Sequence, residues 1–110
     1  MRLAAYVIII SALLHIALWV LSGFSGDALF LIIPAAIYVV LAVCLLASIW
    51  GSRWIGLLVM LGGAAAAIGS FVAPPVEPYW MFALIFGADM LAAILLFGSI
   101  WAGKPAIKAA

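Results

Sequence analysis

The sequence predicts an all-α membrane protein: a four-transmembrane-helix bundle of up-down-up-down topology with both termini in the cytoplasm. Three observations carry this reading. The 110 residues are 73% hydrophobic and only 6% charged, where an ordinary soluble domain carries roughly a quarter charged residues. Four apolar runs follow one another, each close to the ~20 residues that cross a bilayer as a helix. The few charges sort by loop, basic ones to one side of this layout and loop acids to the other. Such a composition excludes a soluble enzyme and a disordered tail, because a chain of this size folded in water has too little polar side chain to cover its surface. The net charge of +1 gives nucleic acid nothing to bind.

The first run, 3–21, follows Met1-Arg2. It is longer than the roughly 7 to 15 residues of a secretory h-region, and no small-x-small cleavage site follows it, so a retained first helix is expected. Ser22 to Asp27 break the pattern before the second run, 28–50. Gly51-Ser52-Arg53 then separate it from the third, 54–73, by so little chain that these two helices should be antiparallel neighbours. Pro74-Pro75-Val76-Glu77-Pro78 form a stiff connection, since proline fixes φ, and the last run covers 79–102. Backbone polar groups in lipid must be satisfied within the segment, so runs of this length without barrel alternation are helices. The whole chain reads as one integral membrane domain.

Orientation rests on Arg2, Arg53, Lys104 and Lys108, which fall on one side, while Asp27 and Glu77 fall on the other. The positive-inside rule assigns the basic side to the cytoplasm, and Trp50, Trp54, Tyr79, Trp80 and Trp101 sit at predicted helix borders, where amphipathic rings favour the headgroup layer. No single segment supplies the roughly four basic residues of a juxtamembrane cluster for anionic lipid. Cys44 is the only cysteine and lies deep in an apolar run. It reads as an inert buried thiol, with no disulfide and no cysteine-based metal site available.

Helix 3 has the smallest side chains. Gly56, Gly63 and Ser70 recur at seven-residue spacing, and Gly62/Ala66 and Gly63/Ala67 are small-x-x-x-small pairs. Small residues let membrane helices approach closely. Packing within the bundle ranks above a homodimer seam as the expected use of Gly56, Gly62, Gly63, Ala66 and Ala67.

Two ionisable side chains lie within the spans, His15 in helix 1 and Asp89 in helix 4. A central Asp costs roughly 2.5 to 3.5 kcal/mol on insertion scales, so compensation is expected. Counted from the predicted outer border at ~1.5 Å per residue, both lie roughly 10 to 15 Å deep, as does Tyr38 in helix 2, while Gly63 and Ala64 leave a gap at that depth in helix 3. Ser11 and Ser22 extend a thin polar stripe along the His15 face, and Pro34, four residues before Tyr38, is placed to free a carbonyl. The expectation is that Asp89 faces inward with His15 or Tyr38 within direct or one-water reach. Burial and pairing act on the charge states in opposite senses, which leaves them open. A structural network holding the helices in register ranks above a working proton or ligand site.

Size, four spans and an ionisable residue in the middle of helix 1 resemble the small multidrug resistance transporters, which exchange cationic compounds for protons as dimers. Where that family carries a glutamate in helix 1 this chain has His15, and helix 3 reads Leu61-Gly62-Gly63-Ala64-Ala65-Ala66-Ala67 in place of the family's Trp-containing glycine motif. The resemblance covers architecture, and the family's function is not carried over.

The leading expectation is a non-enzymatic accessory or assembly subunit of a bacterial-type inner membrane, partnered by the lipid bilayer and by another membrane protein or itself, with no cofactor. The alternative is a small proton-linked transporter working as a homo-oligomer through Asp89 and His15. A quinone- or haem-associated subunit using His15, Tyr38 and Asp89 ranks below both, since one His supplies a single axial ligand.

Overall fold

The computed structural model describes residues 2–23, 31–73 and 79–109, with side chains described as far as Trp101. The expected turn at Asp27, the Pro-rich connection with Glu77, and the side chains of Lys104 and Lys108 lie outside the described residues. Among the described residues there are four helices: α1 (Arg2–Leu21), α2 (Ile32–Leu46), α3 (Ser52–Val72) and α4 (Trp80–Ala109). Three segments of the described residues are long and apolar enough to cross a membrane, Arg2–Leu21, Ser52–Val72 and Trp80–Trp101.

The helix ends follow local chemistry. α1 stops where Gly23 takes a left-handed conformation (φ 78°) and donates its amide to Val20 O, the usual role of glycine just past a helix C-terminus. α2 departs from the expected 28–50. Its 15 residues span only about 22 Å at ~1.5 Å per residue. The apolar run continues to Trp50, but Ser48 turns left-handed (φ 56°), the Ile49 amide bonds Cys44 O and the Ser48 amide bonds Leu45 O. That pair of bonds is a Schellman termination, and it closes the helix despite apolar sequence on both sides. Gly51, also left-handed at φ 80°, then opens α3, and the Ser52 hydroxyl ties the turn by donating to Ile49 O at 2.7 Å. Pro34 lies in the first turn of α2, where an amide would have no intrahelical acceptor.

Each helix turns one stripe inward. On α1 it comprises Ala4, Ile8, Ser11, His15 and Leu18, and on α4 Phe82, Ile85, Asp89, Ala92 and Leu96. Ala35, Tyr38, Ala42 and Leu45 serve α2, and Ser52, Gly56, Met60, Ala64 and Ala67 serve α3. All four stripes follow the 3.6-residue period. The outward faces are apolar too: Ile33, Val40, Leu58, Val72 and Ile94 are all exposed. A helix that is hydrophobic all round is at home in lipid.

α1 packs on α2 and α4, α3 packs closely on α4, and α2 touches α3 more sparsely. Among the described residues the helices thus form a ring in which α1 faces α3, and α2 faces α4, across a diagonal. Two apolar clusters fill it. One joins Ala4, Ile8 and Ala12 with Leu45, Met60 and Leu96, and the other joins Leu18 with Leu31, Ala67 and Phe82. The small residues of α3 divide between two faces. Gly56 and Ala67 are buried and Gly63 is half-buried, whereas Gly62 and Ala66 lie on the exposed side. A Cβ at Gly56 would come within 3.1 Å of Leu96 Cδ1, while one at Gly62 would meet nothing within 4 Å.

Candidate functional site

Between the two apolar clusters, α1, α2 and α4 place Ser11 and His15, Tyr38, and Asp89 on their inward stripes, and the half-buried Gly63 borders the stripe of α3. Asp89 and Ser11 are fully enclosed, and Tyr38 and His15 nearly so. The Ser11 hydroxyl donates to Asp89 Oδ1 at 2.5 Å, and the Tyr38 hydroxyl donates to Oδ2 at 2.8 Å. Both carboxylate oxygens therefore accept from helices other than their own. Hydrogen bonds between membrane helices contribute about 0.6 to 2 kcal/mol each. Two of them come close to offsetting the roughly 2.5 to 3.5 kcal/mol cost of a central Asp.

His15 joins this cluster without touching the carboxylate through a hydrogen bond. Its Nδ1 lies 2.7 Å from the Ser11 carbonyl, one turn back on α1. A carbonyl can only accept, so Nδ1 carries a hydrogen. The imidazole meets the Tyr38 ring edge to face, with centroids 5.1 Å apart and planes at 85°. Ser11 is thus the hub on α1, its hydroxyl on Asp89 and its carbonyl on His15. Sequence reasoning noticed Ser11 only as part of a stripe. The signal was its position four residues before His15, on the face that turns toward α4.

The space for this arrangement comes from α3. A Cβ on Gly63 would stand 2.5 Å from Asp89 Oδ2 and closer still to the Tyr38 hydroxyl oxygen. Any side chain there displaces the Tyr38 to Asp89 bond. Gly62 and Ala66, one face away, take no part in the cluster.

Chemically, the site offers one carboxyl group, two hydroxyls and an imidazole in an enclosed layer. Among the described residues no three His, Cys, Asp or Glu side chains converge as metal ligands. Two cavities described at the Arg53 end of the bundle include none of Ser11, His15, Tyr38 or Asp89 in their walls. Both Asp89 oxygens are taken up by hydroxyls within the cluster. No protein-family model, curated protein or solved structure matches this chain.

Proposed function

We propose that the protein is a multi-pass protein of a bacterial-type inner membrane, a non-enzymatic accessory or assembly subunit that packs against another membrane protein. One observation carries this reading. The buried polar cluster uses both oxygens of Asp89 on hydroxyls of α1 and α2, which is what a pin between helices requires, and neither described cavity includes Asp89 in its walls. The exposure of Gly62 and Ala66 on the outer side of α3 is in keeping with a second helix approaching there.

The up-down-up-down topology with cytoplasmic termini belongs to the same proposal. It is supported by the apolar clusters, which join the beginnings of α1 and α3 to the ends of α2 and α4, and by the basic residues collected at that end of the sequence layout.

A second reading, a homo-oligomeric proton-linked transporter, is favoured by one feature: His15 connects to Asp89 through Ser11 and Tyr38 within a single layer. The Asp89→Asn variant separates the two. An amide keeps the shape, with an oxygen that accepts from one hydroxyl and an NH2 that donates to the other once that hydroxyl turns to accept, but it does not titrate near neutral pH. In cells whose chromosomal copy is deleted, a subunit held by a structural pin is complemented by Asp89→Asn at normal membrane abundance. Normal abundance with lost complementation would overturn the accessory reading in favour of proton transfer.

A further inference from the structure

At the opposite end from Gly23 and Val72, the first turn of α1, the α2–α3 turn and the end of the α4 span surround a cavity of about 710 Å³. Its walls include Arg2, Ser48, Trp50, Arg53 and Trp54. A second, smaller cavity of about 200 Å³ opens beside it, lined by apolar residues of α2 and α3 such as Val40, Cys44, Ile55 and Val59. The two share Ile49, Trp50 and Ser52. A cationic chamber therefore runs directly into an apolar groove. The groove exists because α2 ends early at Leu46 and packs only sparsely on α3.

We infer that these joined cavities bind one anionic phospholipid, its headgroup phosphate between Arg2 and Arg53 and an acyl chain along the groove between α2 and α3. Asp89 is the only carboxylate among the described residues, and it is occupied by Ser11 and Tyr38, so neither guanidinium is neutralised by it. Guanidinium groups bind phosphate oxygens bidentately, and basic pockets between membrane helices are established sites for anionic headgroups. Trp50 and Trp54 are exposed at 96% and 61%, and indole rings favour this depth of the bilayer. Linear sequence hides the site because Arg2 and Arg53 belong to different helices. A free anion would fill only the chamber, whereas a lipid matches chamber and groove together.

Native mass spectrometry of the detergent-purified chain tests this, with dioleoyl phosphatidylglycerol and dioleoyl phosphatidylcholine at equal concentration and inorganic phosphate in a separate arm. The wild type should retain one phosphatidylglycerol at least about fivefold over phosphatidylcholine, as expected of a charge-assisted contact, and no phosphate. Arg2→Gln with Arg53→Gln should reduce that preference below about twofold, since removing both guanidinium groups leaves only the apolar contact. Val40→Trp, at a position exposed on α2, should fill the groove and lower retention of both lipids while circular dichroism stays unchanged. Equal retention of the two lipids, a preference that survives the arginine changes, or phosphate binding as persistent as lipid binding would each overturn the inference.

Discussion

The Tyr38 hydroxyl donates to Asp89 Oδ2 at 2.8 Å, joining α2 to α4 across the diagonal of the bundle in the space that Gly63 leaves open on α3. The backbones of the two helices do not approach each other closely among the described residues, so the bond depends on the reach of a tyrosine and the absence of a side chain at position 63. Ser11 closes the other carboxylate oxygen from α1. All four helices thus meet at one carboxyl group.

Gly63→Ala and Gly62→Ala should have opposite effects. At Gly63 the methyl group overlaps the hydrogen-bonded pair and should destabilise the protein by about 2 kcal/mol, within the usual range for overpacking. At Gly62 it enters open space and should be neutral or stabilising by up to about 1 kcal/mol, the helix-propensity gain of Ala over Gly. Thermal unfolding of both variants in the same detergent checks the pair. Equal effects would mean that position 63 is not the contact point.

Ser11→Ala removes the donor to Asp89 Oδ1 and leaves a fully buried oxygen short of a partner. The expected loss is about 1 to 3 kcal/mol. Ser22→Ala removes only a bond from its own hydroxyl to the Trp19 carbonyl at 2.6 Å, so it should change the melting temperature much less.

Ser48→Gly should stabilise the fold. A left-handed conformation costs an L-residue roughly 1 to 2 kcal/mol that glycine avoids, partly offset by glycine's greater freedom in the unfolded chain. A net gain of about 0.5 to 1 kcal/mol in chemical denaturation is expected. A loss of stability would show that the Ser48 side chain supports the turn in some further way.

The topology is accessible to reporter fusions. A reporter active only in the cytoplasm should be on at Arg53 and Ala110 and off near Asp27 and Glu77, because the basic residues mark the retained side. Activity at Glu77 would require a different number of crossings.

How much of this was legible in the sequence depended on which signal marked each feature. Helix number and class followed from run length, since lipid leaves the backbone no other choice. The end of α2 did not, because hydropathy says nothing about the left-handed turn at Ser48 and the apolar run continues through Ile49 and Trp50. Inward faces were hidden for a related reason. With lipid outside, Leu58 and Val40 are as apolar as anything in the core, so no amphipathic period marks the buried stripe. Only polar and small residues break that symmetry, which is why the depth count could gather His15, Tyr38, Asp89 and Gly63 into one layer. The same count could not separate the direct bond of Tyr38 from the indirect contact of His15, nor assign Ser11 its place as hub. The division of Gly63 from Gly62 needed helix rotation, which neighbouring glycines do not reveal.

The most direct test is a double-mutant cycle on the diagonal bond, with Tyr38→Phe, Asp89→Ala and the double variant unfolded reversibly in detergent. If the Tyr38 to Asp89 bond pins the bundle, Tyr38→Phe is destabilising and the pair is coupled by about 1 to 2 kcal/mol, the upper range for hydrogen bonds between membrane helices. Strictly additive effects, with coupling near zero, would contradict the account.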